Sequence, residues 1–289
     1  MSEDLIFSRR RLVASGLAAA ASLKLRAAQG VGFTERAMVC RLVPEQEVGP
    51  YYVPGEILRS DITEGKRGVP LQLRVLVLDA RTCKPLPNAA VDLWHCDALG
   101  LYSGFTQQNP MGPGGPPPGF DPQHPRNHPG PPEEMGPPPV NHPTDQLTFL
   151  RGIQLTDEGG KVDFHTVFPG FYMGRTNHIH FKVRMDGQAA RSYEAGHTSH
   201  VGQIFFPEKL AAKLMEQEPY RLHRIHRTTQ AEDQVFGDQQ GDLSIVRVDQ
   251  LHPQDLAAGL SAELVAAVDP AATPAAARRR RGPGDQTPY

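Results

Sequence analysis

Residues 169–181 of the chain read PGFYMGRTNHIHF, a turn that leads into a short strand. Successive side chains of an extended strand point to opposite faces, so His178 and His180 share one face, roughly 6.5–7 Å apart at the backbone. Ile179 and Phe181 fall on the other face, where they can pack into a core. The stretch therefore predicts a strand that presents two imidazoles to one metal ion.

The rest of the chain favours an all-β fold, an antiparallel β-sandwich with long loops and few short helices, because many short strands alternate with Gly and Pro turns. Segment 71–79 (LQLRVLVLD) alternates strongly, and we expect 90–95 (AVDLWH) to pair with it. Further strands are expected at 147–155, 161–168, 178–184, 202–206 and 242–248. Helices are expected at 208–217 and 256–268.

The chain has 289 residues and a formal net charge of -2, which gives no overall footprint for nucleic acid or an anionic membrane. We expect one sandwich domain over residues 38–250 and a disordered tail over 270–289. Fourteen of the 28 prolines lie in 109–143, a Pro/Gly/His-rich insertion. This composition favours a flexible surface loop, with a lid over the site as the alternative.

Residues 1–30 are expected to be an export signal. Three arginines, Arg9 to Arg11, precede an apolar run at 17–23 that is too short to span a bilayer. This pattern resembles a twin-arginine signal. We therefore expect a periplasmic or secreted protein, and the alternative is a cytoplasmic protein with a basic N-terminal tail.

The three cysteines are Cys40, Cys83 and Cys96. An exported protein could form one disulfide and leave one thiol, and the sequence leaves all three pairings open. The chain has no CxxC or Cys/His zinc spacing, so a structural zinc site is not expected.

Tyr172 precedes the two histidines by six and eight residues and suggests which metal they bind. Zinc, copper and iron all accept imidazole. A phenolate is a hard anionic donor that favours ferric over ferrous iron. Two phenolates and one hydroxide would balance the charge of Fe(III), which makes the site compatible with a poorly solvated pocket.

A second tyrosine, Tyr102, stands in residues 94–104, WHCDALGLYSG. Together with the later PGxY and RxxHxH motifs, this segment resembles the iron-binding pattern of the intradiol ring-cleavage dioxygenases. The resemblance runs from about Glu47 through Phe206. The short distance from the second tyrosine to the histidines, and FLRG at 149–152, are most similar to the secreted or periplasmic branch, which is protocatechuate 3,4-dioxygenase beta-like.

The resemblance implies a site and a reaction. It implies that Fe(3+) is bound by Tyr102, Tyr172, His178 and His180. Arg175 would lie beside the substrate, Gln203 would line the same pocket, and Tyr172 would also accept a proton. The reaction implied is cleavage of a catechol between its two hydroxylated carbons by O2 to a muconate-type diacid, a step of aromatic compound catabolism.

Several nearby residues are assigned more ordinary roles. Tyr51 and Tyr52 suit either packing or the pocket entrance, while Trp94 suits the core. The other histidines of this region are His95 and His165, expected to be structural or exposed, and His197 and His200, which could border the pocket from a polar loop.

Two other functions remain open from the sequence. The first is a non-catalytic exported protein that binds aromatics or metal on the same fold. The second is a zinc or copper hydrolase that uses His178, His180 and Asp97. The expected partners are a small-molecule catechol and O2, with no nucleic acid and no membrane insertion, and a homodimer is possible. Which catechol is cleaved depends on loop side chains and stays open.

Overall fold

The computed structural model describes residues 40–55, 57–107 and 142–274, and the strands of this part of the chain form two four-stranded sheets. The first sheet has the strand order β4-β1-β8-β7, and the second has the order β3-β2-β5-β6. The strands are β1 (Pro70–Asp79), β2 (Ala90–Trp94), β3 (Arg151–Leu155), β4 (Lys161–Val167), β5 (His178–Ala189), β6 (Tyr193–Phe205), β7 (Arg247–Gln250) and β8 (Leu260–Val268).

The helices of the described residues are short. They are α1 (Glu208–Met215), α2 (Gln234–Asp238) and single 3₁₀ turns at Tyr220–Leu222, Gly241–Ser244 and Leu256–Ala258. Helix α1 confirms the prediction at 208–217. Within the same residues, no helix has the length and apolar character that crossing a bilayer requires.

The main core lies between the two sheets and confirms the predicted sandwich. Leu71, Leu73 and Val75 of β1 point into it, as their alternation predicts. Ile179 and Phe181 of β5 enter the same core from the second sheet, both with no exposed surface. The opposite face of β5 is therefore available for other residues.

The predicted pairing of the first two strands is wrong. Strand β1 pairs with β4 and β8, while β2 pairs with β3 and β5 in the other sheet. The connection over residues 80–89 crosses from one sheet to the other, which a two-residue hairpin could not do. The strong alternation of β1 identified its buried face but did not identify its partners.

The predicted helix at 256–268 is also wrong. Residues Leu260–Val268 form β8, which runs parallel to β1 with Leu71 opposite Leu260. The alanines of this segment favour a helix by propensity, but the side chains of Leu260, Ala262 and Leu264 alternate into the core with the period of a strand. Pairing with β1 satisfies the backbone and outweighs the local preference.

Several other boundaries differ from expectation. The expected strand at 242–248 is a 3₁₀ turn followed by β7, which begins only at Arg247. Strand β3 begins at Arg151, four residues later than expected, and β6 begins at Tyr193, nine residues earlier. Because β8 completes the first sheet, the sandwich extends beyond residue 250, the end expected from the sequence.

Cys40 and Cys83 are joined by a disulfide with a Cα–Cα distance of 5.6 Å, and Cys96 is a buried free thiol. This selects one of the three pairings that the sequence leaves open. The expected signal at 1–30 lies outside the described residues. So do residues 108–141 of the insertion and residues 275–289 of the tail.

An extended arm (residues 43–55) covers the outer face of the second sheet. The backbone N–H of Val43 donates to the carbonyl of Ala267 at 3.0 Å, which ties the start of the arm to β8. The N–H of Gln46 donates to the carbonyl of Val201 at 3.0 Å, which ties the arm to β6. The arm therefore encloses the face of the sheet that bears His178 and His180.

Candidate metal centre

The two histidines of β5 lie on the outer face of the second sheet, and each has 1% of its surface exposed. His178 Nδ1 lies 2.7 Å from the carbonyl oxygen of Thr176, so Nδ1–H donates there and Nε2 keeps its lone pair. His178 Nε2 lies 3.0 Å from His180 Nε2. Two ring nitrogens that converge in this way can share one cation, as the sequence predicts.

Trp94 of β2 orients the second histidine. Its indole stacks on the imidazole of His180, with ring centroids 5.0 Å apart and planes 5° from parallel. Gly49 of the arm also approaches that imidazole so closely that a Cβ there would lie 2.9 Å from His180 Cε1. Both the indole and the arm therefore contact the ring, and Trp94 packs in the aromatic cluster of the site and not in the main core between the sheets.

Tyr102 and Tyr172 reach the same place from two loops. Their ring centroids are 5.7 Å apart, and Tyr172 lies 5.6 Å from the ring of His178. Tyr102 lies 6.4 Å from the ring of His180. The structure thus brings together all four side chains that the sequence assigns to the metal.

Gly100 explains how the two tyrosine loops meet. A Cβ at this position would lie 2.3 Å from the carbonyl oxygen of Phe171, and its φ of +81° favours glycine. Asp97 shapes the same turn, because its Oδ1 accepts the backbone N–H of Leu99 and of Leu101, both at 3.0 Å. The motif that precedes Tyr102 is therefore a tight turn built to contact the Tyr172 loop.

The electrostatics of the four side chains suit a cation. Burial, followed by the nearby Tyr172, raises the pKa of Tyr102 well above its ordinary value. Burial, with a contribution from Arg175, lowers the pKa of His178 well below its ordinary value, so this imidazole stays neutral. Among the described residues, the buried Tyr102 hydroxyl has no hydrogen-bond partner. Neutral imidazoles and an unpartnered phenol are what a hard metal ion would need around it.

Arg175 is almost fully buried beside Tyr172. Its Nη1 lies 3.4 Å from the Tyr172 hydroxyl and 3.7 Å from Glu47 Oε1, and its Nη2 donates to Gln203 Oε1. Its Nε lies 3.1 Å from both carboxylate oxygens of Asp233. Burial lowers the pKa of Arg175, but Tyr172, Asp233 and Glu47 outweigh that effect and raise it overall. The guanidinium is therefore a fixed cation at the edge of the site.

Gln203 is buried between the arm and Arg175. Its side-chain Nε2 donates to the carbonyl of Glu47 at 3.0 Å, and its backbone N–H donates to Gln46 Oε1 at 2.7 Å. These contacts join the arm to β6, while Oε1 of the same side chain accepts from Arg175. Gln203 thus connects the arm to the arginine.

Tyr51 belongs to the site more closely than the sequence indicates. Its ring stacks on that of Tyr102 at 4.5 Å and meets that of Tyr172 edge-on at 5.5 Å. Tyr52, by contrast, donates from its hydroxyl to Asp92 Oδ2 at 2.9 Å. Of the pair, Tyr51 is the residue that contacts both tyrosines of the centre.

Among the described residues, His95, His197 and His200 do not join the site. His95 is structural, as predicted, with its ring nitrogens against the carbonyl of Cys96 and the hydroxyl of Thr166. His197 lies on β6 with Nε2 2.9 Å from the carbonyl of Pro270, and His200 lies on the same strand facing Phe181. Both are strand residues, so the expectation of a polar loop bordering the pocket is wrong.

The hydrolase alternative finds no support. The Asp97 carboxylate accepts from Lys66 Nζ at 2.7 Å and from the turn described above. Over residues 40–55, 57–107 and 142–274, no three His, Cys, Asp or Glu side chains are arranged to hold a metal ion. The side chains of Tyr172 and Tyr102, by contrast, have ring centroids 5.6 Å from that of His178 and 6.4 Å from that of His180.

Sequence reasoning missed Glu47 and Asp233, which flank Arg175. Asp233 precedes α2 and accepts the N–H of Phe236, so a Ser/Thr/Asp/Asn capping signal was present in the sequence at that position. Nothing in the sequence connects it to Arg175, 58 residues away. Glu47 lies in the irregular arm and gives no local signal.

Fold and site together define a class: a β-sandwich that carries two tyrosines, two histidines and a buried arginine on the outer face of one sheet. The chain matches no protein-family model and no curated protein. Its structure is similar to the solved intradiol ring-cleavage dioxygenase of Tetranychus urticae, with a TM-score of 0.66 and 32% identity over 82% of this chain and 98% of that one. A second solved dioxygenase gives a TM-score of 0.64 at the same identity and coverage.

The chain belongs to the intradiol ring-cleavage dioxygenase family. It is therefore an oxidoreductase of the ring-cleaving dioxygenase type.

Proposed function

We propose that this chain is a non-haem Fe(III)-dependent dioxygenase that cleaves catechol-type rings between their two hydroxylated carbons with O2, giving muconate-type diacids. One observation carries the proposal: Tyr102, Tyr172, His178 and His180 converge in one buried place, with the two imidazole Nε2 atoms 3.0 Å apart. The similarity to the intradiol ring-cleavage dioxygenase of Tetranychus urticae supports the same reaction.

The donor set fits ferric iron. Two imidazole nitrogens that bind one ion at roughly 2.0–2.1 Å and about a right angle would lie about 3 Å apart, which matches the observed separation. Two phenolates are hard, anionic donors and suit a trivalent ion. The burial that raises the pKa of Tyr102 is offset only by a strong positive charge.

Bound there, the ion would act as a Lewis acid and as a template that orients catechol and O2. The chain's own residues prepare the site for it. Thr176 fixes the ring of His178 through Nδ1, and Trp94 fixes the ring of His180 by stacking. The hydrogen bond fixes the tautomer of His178, and the stacking fixes the ring orientation of His180, so that both Nε2 atoms face one point.

Tyr172 would accept a proton from the substrate, and Arg175 would stabilise negative charge on it. The Tyr172 hydroxyl lies 3.4 Å from Arg175 Nη1, so the guanidinium holds that oxygen in place. As a phenolate, Tyr172 is placed to accept a proton from a catechol hydroxyl. Arg175 is a preorganised donor for the negative charge that develops on the ring. Its burial strengthens that interaction because little water screens it.

The arm would exclude water and provide an aromatic wall. Tyr51 stacks on Tyr102, and Phe105 meets Tyr51 edge-on at 5.3 Å. An aromatic substrate can pack against such rings. The arm thus supports the binding of a flat, apolar ring beside polar groups.

The proposal is tested on the purified full chain by iron content, the visible phenolate-to-iron band and oxygen consumption with a panel of catechols. Products are identified by mass. We expect a coloured protein that consumes O2 and forms ring-opened diacids. The Tyr102→Phe/Tyr172→Phe double variant should lose colour and turnover, while Tyr193→Phe, a buried tyrosine of β6 whose hydroxyl accepts the N–H of Gly187, should keep both. A colourless, active double variant refutes the ligand assignment.

We also propose that the protein is exported through a twin-arginine signal. The Cys40–Cys83 disulfide supports this, because disulfides persist mainly in oxidising compartments. Fractionation of cells that express the full chain tests the proposal. The Arg9→Lys/Arg10→Lys variant should remain in the cytoplasm, and equal export of both forms would contradict the assignment.

A further inference from the structure

Asp233 is a buried carboxylate that stands between α2 and the arginine of the site. Its side chain has no exposed surface, and it follows the motif-bearing segment 47–206 in the sequence. The side chain of Glu47, the other acidic neighbour of Arg175, is 46% exposed and lies farther away, at 3.7 Å. The main counter-charge of the buried guanidinium is therefore Asp233.

Three N–H donors converge on this carboxylate. Arg175 Nε lies 3.1 Å from each oxygen, the backbone N–H of Thr176 donates to Oδ2 at 2.9 Å, and that of Phe236 donates to Oδ1 at 3.1 Å. A carboxylate offers about four lone-pair sites and can accept all three. An asparagine offers one acceptor oxygen and turns an NH₂ group toward the remaining donors. Asp233 is thus matched to its surroundings by charge and by acceptor number.

The contact on Nε determines which way the guanidinium faces. Because Asp233 holds the Nε edge, Nη1 and Nη2 point away from it, toward Tyr172 and Gln203. Free rotation about the long side chain would otherwise cost conformational entropy each time these contacts formed. Asp233 removes that freedom before a substrate arrives.

The bond to Thr176 extends the effect to a histidine. The N–H of Thr176 donates to Asp233, and the carbonyl of Thr176 accepts from His178 Nδ1 at 2.7 Å. Asp233 therefore holds both Arg175 and Thr176, and Thr176 in turn orients His178. Partners at this distance from a metal typically change affinity or activity by about 10–100-fold when they are replaced.

We propose that Asp233 is a positioning residue that holds Arg175 in its working orientation and fixes the Thr176 turn that orients His178. This inference rests on the proposed function for its kinetic consequences, but the geometry that it claims does not require the metal.

The test uses two variants of the full chain and one matched control. Asp233→Asn removes the charge at nearly constant size, and Asp233→Ser keeps a residue that caps α2 but cannot reach Arg175 in the same way. The control is Asp163→Asn. Asp163 makes a two-bond pair with Arg74, at 2.7 and 3.0 Å, on the first sheet and far from the site in the fold.

In the iron-loaded enzyme, we expect both Asp233 variants to lower kcat/KM for catechol by about 10–100-fold, while Asp163→Asn stays within about twofold. An Arg175→Ala background should remove most of the further effect of Asp233→Asn, because the two residues act as one unit. Additive losses in that double variant would overturn the positioning role. So would an Asp233→Asn enzyme with wild-type kinetics.

The metal-free protein provides an independent reading. In ¹H–¹⁵N NMR spectra we expect a slowly exchanging Arg175 Nε–H signal in the wild type and in Asp163→Asn, and its loss or fast exchange in Asp233→Asn. An unchanged signal in Asp233→Asn overturns the inference. If the wild type fails to turn over catechol, the proposed function fails and this signal still decides the claim about Asp233. If neither Asp233 variant folds, its role is structural and the proposal is wrong.

Discussion

The two faces of the second sheet are both buried, yet they are built from opposite kinds of residue. The inner face presents Ile179 and Phe181 of β5 to the first sheet. The outer face presents His178, His180 and Lys182 of the same strand, and each of these has 1% or 2% exposure. Only the alternation of a strand separates them.

The difference shows how a buried polar face is made stable. The inner face is closed by another sheet, whereas the outer face is closed by the arm and by partners for its polar groups. Lys182 lies beside Asp92 in register and over the ring of Tyr52 at 3.1 Å. Polar groups that are buried with partners cost little, and those without partners are costly. The outer face can therefore carry buried polar side chains without a large loss of stability.

Substitutions at two adjacent residues, His180 and Phe181, test most directly whether the two faces have different roles. Phe181→Ala should lower the free energy of unfolding by about 3–5 kcal/mol, because it leaves a cavity between the sheets. His180→Ala should instead abolish iron binding and lower turnover by more than about 100-fold. Denaturant unfolding of the metal-free proteins and oxygen uptake of the iron-loaded proteins measure the two effects. Equal effects of both variants on the free energy of unfolding would contradict the idea that the inner face provides stability and the outer face provides the site.

A substitution of Arg175 tests the role of the outer face in activity. Arg175→Ala should reduce kcat/KM by about 100–1000-fold, as expected for one preorganised donor to developing charge. Arg184→Ala is the matched control, because Arg184 is a β5 residue that bonds to the carbonyls of Tyr193 and Ala195 instead. Steady-state kinetics with catechol measure both. A similar loss in the two variants would point to a general effect on β5.

His200 is the polar exception on the inner face, opposite Val183 and against Phe181. Burial lowers its pKa to about 4. Below pH 6.5 the unfolded chain takes up a proton that the folded chain refuses, so stability falls as pH decreases from about 6.5 toward 4. From pH 7 to pH 5 this one residue should cost about 2 kcal/mol. His200→Leu should flatten the pH dependence of denaturant unfolding over that range, and an unchanged slope would contradict the assignment.

The smallest effect is expected at the surface of the first sheet. Arg74 and Asp163 pair there across β1 and β4, with 24% and 55% of their side chains exposed. A double-mutant cycle with Arg74→Ala and Asp163→Ala should give a coupling energy of about 0.2–1 kcal/mol that decreases with salt. A much larger coupling energy would contradict the idea that the Arg74–Asp163 pair is weaker than the Arg175–Asp233 pair because it is more exposed.

Much of the site was predictable because strand periodicity is a local property. The spacing of His178 and His180 along one strand specifies that they share a face, so the convergence of the two imidazoles was predictable from sequence. Asp233 was not found, because it meets Arg175 only through the folding of a distant loop. Local patterns identify faces and turns but do not show which distant segments meet.

The fold shows the same limit. The alternation of β1 predicted its buried face, but its partners are β4 and β8, and neither pairing is encoded in β1 itself. The β8 segment was misassigned because alanine-rich sequence favours a helix in isolation. Long-range pairing decided the structure there.

The parallel pair of β1 and β8 has a consequence for biosynthesis. It places Leu71 beside Leu260, so the first sheet remains incomplete on the ribosome until residues 260–268 have emerged. Contacts of such long sequence separation slow the final assembly of a domain and leave an open strand edge on the nascent chain. The sandwich of this oxygenase can therefore close only after β8 has been synthesised.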